Sequence, residues 1–210
     1  MLTQKSVSEF LTELASNSPA PGGGSVAALA GALGAALTAM VCRLTVGKKK
    51  YTDVEAEMQD VFGQADRLRE QLSALIDKDT QAFNKVMEAY GLPKETEAQK
   101  ALRSEAIQST TMEAALVPLE VMHHCLDGLA LARIVAQKGN ANSTSDAGVS
   151  ALMLVAAAES AALNVRINLN SIKDADFTTW RAGEVRSLVK SAKAAAEEIA
   201  SIVDAKIGGA

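Results

Sequence analysis

Aromatic side chains make up only 3% of the 210 residues, alongside two cysteines, two histidines and four prolines. A core without bulky rings has to be filled by small side chains brought close together. That favours helices packed near backbone contact over sheets, where aromatic and β-branched residues fit better. Cys42 and Cys125 are too few for a disulfide framework, so a reducing cytoplasm is the expected compartment. The histidines stand side by side in "MHHC" as His123 and His124. Adjacent positions on a helix diverge by about 100°, so His124 and Cys125 cannot converge on one ion. No second ligand pair exists elsewhere, and no metal is expected. A formal net charge of −4 argues against a general nucleic-acid binder. The first sixteen residues mix Lys5, Glu9 and Glu13 with apolar residues at helical spacing, which is no secretory signal.

What is present is helical periodicity, with no strand pattern of useful length. "SVSE" at Ser6 is a capping box opening a short helix with Val7, Phe10, Leu11 and Leu14 on one face. A second helix is expected from a Ser25 cap to about Val46, and a third from a Thr52 cap to "YGLPKE". A fourth runs from about Glu95 to Lys138 with a kink at Pro118, and Gly139 ends it. A fifth, capped by Ser145 or Asp146, reaches about Asn170, and a sixth runs from about Asp176 to the C-terminus. Residues 1–210 therefore read as a single all-α domain, a bundle of six long, Ala/Gly-rich helices.

The run "SPAPGGGSVAALAGALGAALTAMVCRLTVGKKKY" joins three glycines, a long uncharged stretch and three lysines. A phosphate-binding P-loop is excluded: no strand precedes and no lysine stands at the required spacing. Gly22 to Cys42 is long enough to span a bilayer, but Ala, Gly, Ser and Thr gain little in lipid, and no second span is evident. A buried helix is preferred, with Ala28, Gly31, Gly34 or Ala35 in close helix contact against a twofold partner in a soluble homodimer. The backbone N–H groups of Gly22, Gly23, Gly24 and Ser25 could receive an anion, as could Lys48, Lys49 and Lys50. A tight turn and a solvated loop are the simpler account of the same residues, and this stretch alone does not decide.

The third helix carries a sharper signal. Its stripe of Val54, Met58, Val61, Ala65, Leu68, Leu72 and Leu75 continues through position 79 to Ala82 and Val86, and position 79 is Asp. A carboxylate on an apolar seam has its pKa raised unless a cation or N–H groups compensate, which suits a general acid/base at neutral pH. A buried structural aspartate would look the same. Asp77 and Lys78 fall off the stripe and read as solvated charges. On the fifth helix Asn164 and Asn168 share a face with Ala157 and Ala161, and their amides need partners, from a neighbouring helix or a polar heterocycle. Before that helix, "GNANSTSD" gathers Asn140, Asn142, Ser145 and Asp146, some of which serve as caps.

Taken together, "PAPGGGSVAALAGALGAALTAMVCRLTVGKKKY", "LIDKDTQAF" and "KGNANSTSDAGVSALMLVAAAESAALNVRINL" resemble the formiminotransferase-cyclodeaminase C-terminal family, which includes stand-alone methenyltetrahydrofolate cyclohydrolases. The resemblance implies an all-helical homodimer that binds reduced folate without metal. It implies hydrolysis of 5,10-methenyltetrahydrofolate to 10-formyltetrahydrofolate, with formiminotetrahydrofolate cyclodeaminase as the alternative and a silent helical binding protein as a further one. It places Asp79 at the catalytic position and lines the folate pocket with the "PGGGS" and "GNANSTSD" loops. Asn164 and Asn168 become candidates for the pterin or water, and the three lysines for the glutamate tail. No other cofactor, nucleic acid or membrane partner is expected.

Overall fold

Ser6 accepts from the Glu9 amide while Glu9 returns a bond to the Ser6 backbone, and this capping box starts α1, Val7–Leu14. A computed structural model of the chain describes residues 1–208, and among them five longer helices follow: α2 (Gly23–Thr45), α3 (Glu55–Tyr90), α4 (Glu97–Lys138), α5 (Thr144–Leu169) and α6 (Ala175–Ile207). No strand occurs among the described residues.

Several helix starts differ from the sequence expectation. Gly22, not Ser25, is the N-cap of α2, because Gly23 and Gly24 already adopt helical geometry and move Ser25 into the first turn. Thr52 lies inside a 3-10 turn, Lys49–Val54, so α3 begins at Glu55. A Thr96/Gln99 capping box opens α4. Ser143 precedes α5 without a side-chain bond, and Asp174 caps α6 by accepting from the Phe177 amide at 2.9 Å. As expected, α4 runs on through Pro118 to Lys138 as one element of 42 residues. Asp77, expected in solvent, is buried: it accepts from the Leu2 amide and, at 2.8 Å, from the Thr3 hydroxyl. The N-terminal turn folds back onto α3 there, a contact that periodicity along α3 cannot announce.

α2 is the central helix, in contact with α3, α4 and α5. It runs antiparallel to α5: Gly23 lies beside Asn164, Gly34 beside Leu154, Thr38 bonds Ser150 at 2.8 Å, and Thr45 accepts from the Asn140 amide at 2.9 Å. The glycines set these approaches. A Cβ on Gly31 would sit 3.1 Å from Leu72 and 3.2 Å from the Cys125 sulfur; one on Gly34 would sit 2.6 Å from Leu154. Ala28, Gly31, Gly34 and Ala35 are thus covered within one chain, where the sequence had suggested a twofold partner. Replacing Gly34 by Leu is expected to cost at least about 1–3 kcal/mol through overpacking, read as a lowered thermal midpoint. An unchanged midpoint would show that α2 and α5 can separate freely at this point.

By length and composition α2, α4 and the 141–169 segment could each cross a bilayer, which corrects the expectation of a single candidate span. In this fold the polar Ser25, Thr38 and Thr45 of α2 and Ser150 of α5 are buried against neighbouring helices.

Candidate active site

Where the N-terminus of α2, the C-terminal third of α3 and the last turns of α5 meet, a cavity of about 350 Å³ opens. Pro19, Ala20 and Gly22–Gly24 form one wall; Asp79, Phe83 and Val86 come from α3; Ala114 comes from α4; Asn164, Ile167 and Asn168 come from α5. Its size falls within the range of small-molecule sites. Among the described residues, Asp79 is the only charged one in its lining. A larger open groove of about 460 Å³, lined by Arg166 and Arg186 between α5 and α6, contains no carboxylate or histidine.

The Asp79 carboxylate lies against the first turn of α2. Its Oδ2 accepts from the Ser25 hydroxyl at 3.0 Å; the same hydroxyl stands 2.9 Å from the Ile76 carbonyl and 3.2 Å from the Thr80 hydroxyl. Ser25, expected as a helix cap, therefore acts as a fully buried contact to the carboxylate. A Cβ on Gly24 would overlap Asp79, so only glycine admits the side chain at this point. Burial pushes the Asp79 carboxyl above its ordinary value, and the Ser25 hydroxyl and backbone amide pull it partly back. No cation pairs with it among the described residues.

The opposite wall is rich in acceptors. Asn164 donates to the Ser160 carbonyl at 2.9 Å, and Asn168 to the Asn164 carbonyl at 3.0 Å, so both amide nitrogens are engaged with backbone. Their Oδ1 atoms accept no hydrogen bond from the described residues. Pro118 adds a third acceptor. Lacking an N–H, it leaves the Ala114 carbonyl, four residues earlier and lining the cavity, without its helical partner. Asn168 donates to that oxygen in a long bond of 3.4 Å.

The structure thus gathers Gly22, Gly23, Gly24, Ser25, Asp79, Asn164 and Asn168 in one place. It does not bring the remaining expected residues there. Lys48, Lys49 and Lys50 follow the far end of α2, whose 23 residues extend about 34 Å. Asn140, Asn142, Ser145 and Asp146 lie at that same far end. Asn140 donates to the Leu44 carbonyl at 2.8 Å and accepts from the Asn142 amide, while the Ala141 amide donates to the Tyr51 hydroxyl. The antiparallel course of α2 and α5 is the reason: joining one end of the pair separates it from the other. Phe83 was missed although it stands four residues after Asp79 on the same helical face, a spacing visible in "DTQAF". His123 and His124 approach Glu184 and Glu120 separately, and no group of three metal-type side chains converges among the described residues.

Residues 6–187 match the family described as formiminotransferase-cyclodeaminase. Over 207 residues the chain is 45% identical to a methenyltetrahydrofolate cyclohydrolase of Methylorubrum extorquens, covering 99% of this chain and all of that one. It is 36% identical to the formimidoyltransferase-cyclodeaminase of Gallus gallus over 91% of its length, but spans only 36% of that longer protein. Among solved structures, a formiminotetrahydrofolate cyclodeaminase from Thermotoga maritima superposes with a TM-score of 0.82 at 32% identity, covering 100% of this chain and 98% of that one.

Proposed function

Because this chain belongs to the formiminotransferase-cyclodeaminase family, we propose that it is a methenyltetrahydrofolate cyclohydrolase, converting 5,10-methenyltetrahydrofolate and water to 10-formyltetrahydrofolate. One observation carries the reading: the cavity holds a single charge, a desolvated carboxylate, opposite neutral acceptors. Such a site suits a cationic heterocycle with N–H donors. The bridging carbon of the methenyl substrate is amidinium-like and already electrophilic, so its chemistry asks for no metal to polarise it.

Water must lose two protons as its oxygen becomes the formyl carbonyl. Ionised Asp79 takes the first as the oxygen adds to the bridge, and returns it to N5 as the C–N5 bond opens. The second proton leaves to solvent, so the cationic substrate and water give neutral product and H⁺. Ser25 holds the Oδ2 edge of the carboxylate, which fixes the direction of the other oxygen. Asn164, Asn168 and the Ala114 carbonyl are the acceptors offered to the pterin amino and ring N–H groups.

Two further elements belong to the same reading. The enzyme works as a homodimer, supported by exposed apolar side chains along α2 and α5. It resides in the cytoplasm, where free Cys42 and Cys125 stay reduced.

A second reading, ring closure of formiminotetrahydrofolate with loss of ammonia, is favoured by the likeness to the Thermotoga maritima protein. The full-length relative at 45% identity supports hydrolysis instead. Steady-state kinetics with both substrates separates them. Hydrolysis is expected to exceed ammonia release in kcat/KM, and the reverse order would assign the chain to the deaminases.

A further inference from the structure

The residues suited to the two ends of a folate stand at opposite ends of the same pair of helices. The cavity at the Gly23/Asn164 end has no cation for a carboxylate tail. Lys48, Lys49 and Lys50 at the other end are exposed and form no ion pair among the described residues. Between the ends runs an uncovered apolar face. Leu33 is 49% and Leu44 40% exposed on α2, and Leu152, Leu163 and Ile167 are 63%, 64% and 65% exposed on α5. No charge interrupts α2 before Arg43, whose guanidinium turns away onto the Phe62 ring at 4.5 Å. Ile167 belongs both to this face and to the cavity wall, so whatever covers the face also borders the site.

The dimensions and the placement indicate a second copy of the chain. Two helices side by side, about 34 Å long and each about 10 Å across, present about 700 Å². A standard protein interface buries about 800 Å² on each partner. The pairings of Gly34 with Leu154 and of Thr38 with Ser150 put Leu33 and Leu152 within one helical turn of the same level, near the midpoint between the cavity and the lysines. We propose that two copies pack face to face about a twofold axis passing near Leu33 and Leu152, perpendicular to both helices. Each α2 then lies antiparallel to its counterpart. That operation carries the partner subunit's Lys48, Lys49 and Lys50 to the mouth of the Asp79 cavity. The loop bearing the partner subunit's Asn140 and Asn142 comes with them. The active site is composite, with acid/base chemistry from one chain and carboxylate recognition from the other. An axis parallel to the helices would instead crowd six lysines together and leave both cavities without a cation. The ligand assignment rests on the folate reading; the placement of the second copy does not.

Cross-linking tests the placement without any substrate. Lys49→Cys and Ile167→Cys, each made alone and then mixed, are expected to give a covalent dimer with a short bismaleimide only in the mixture. Cys42 and Cys125 are buried and leave the background low. A cross-link in Ile167→Cys alone would put the two cavities together and overturn the arrangement. So would a monomer in sedimentation, or a monomer that partitions onto lipid vesicles. The shared site is then read kinetically by mixing Asp79→Asn chains with chains carrying Lys48→Glu, Lys49→Glu and Lys50→Glu. Half of the dimers are mixed and each holds one intact site, so about a quarter of the parental kcat/KM is expected at low substrate. Activity no higher than the mean of the two separate variants would show that the lysines do not act across the interface. Absence of turnover by the parent itself would instead count against the folate reading and leave the cross-linking result standing.

Discussion

Asp79→Asn is expected to lower the rate of hydrolysis by about two to four orders of magnitude, because an amide cannot accept the proton of the attacking water. The same substitution is expected to raise the melting temperature at neutral pH. The native carboxyl is held above its ordinary value, chiefly by burial. Between the unfolded and native pKa values the folded state binds more protons than the unfolded one. The contribution of Asp79 to stability is therefore present below the unfolded value and lost as pH rises through the native one. Above that window the ionised side chain is a net cost, which asparagine removes while still accepting from Ser25. Loss of activity together with a higher melting temperature separates a functional carboxylate from a structural one. Retention of activity within a few-fold of the parent would remove Asp79 from the chemistry, and a lower melting temperature would make it a structural residue.

Gly24→Ala carries the second large effect. The added Cβ would lie 2.5 Å from the Asp79 carboxylate carbon and 2.8 Å from Oδ2, closer than any real side chain tolerates. The helix start is held by its backbone, so the side chain of Asp79 has to give way and loses its bond to Ser25. A displacement of about 1 Å at the reacting group is expected to cost about 100-fold in kcat/KM. Gly63→Ala is the matched control. Its Cβ meets only the Arg67 guanidinium, at 3.7 Å, and alanine in mid-helix is expected to stabilise by about 0.5–1 kcal/mol. Equal activity of the two variants would mean that the contact between Gly24 and Asp79 does not position the base.

The chemistry of the site was more legible in the sequence than its assembly. Asp79 stands out because a period of 3.6 carries it onto the face shared by Leu72 and Leu75, both buried in the fold. Asn164 and Asn168 stand out because a four-residue spacing places them together on a helix made mostly of small residues. Periodicity reports which face of a helix is covered, but not by what. The burial of Asp77 depends on Leu2 and Thr3, more than seventy positions away. The role of Ser25 depends on α3 lying against the first turn of α2, and without that contact a serine after three glycines reads as a cap. That Pro118 deprives the Ala114 carbonyl of its helical N–H partner follows from proline chemistry, but the place of Ala114 in the cavity wall does not. The lysines and the Asn140–Asp146 loop lie at the other end of the helix pair from the cavity, which sequence spacing does not show because it does not encode the antiparallel pairing of α2 with α5.

The most direct test of the mechanism is the pH dependence of single-turnover hydrolysis, followed through the absorbance of the methenyl bridge. A base whose carboxyl is raised by burial must be ionised to act, so the rate is expected to fall as pH is lowered through a midpoint above the ordinary carboxylate range. That limb should be absent from the residual activity of Asp79→Asn. A parental rate that stays flat down to the ordinary aspartate range, or a limb that persists unchanged in Asp79→Asn, would contradict Asp79 as the proton acceptor.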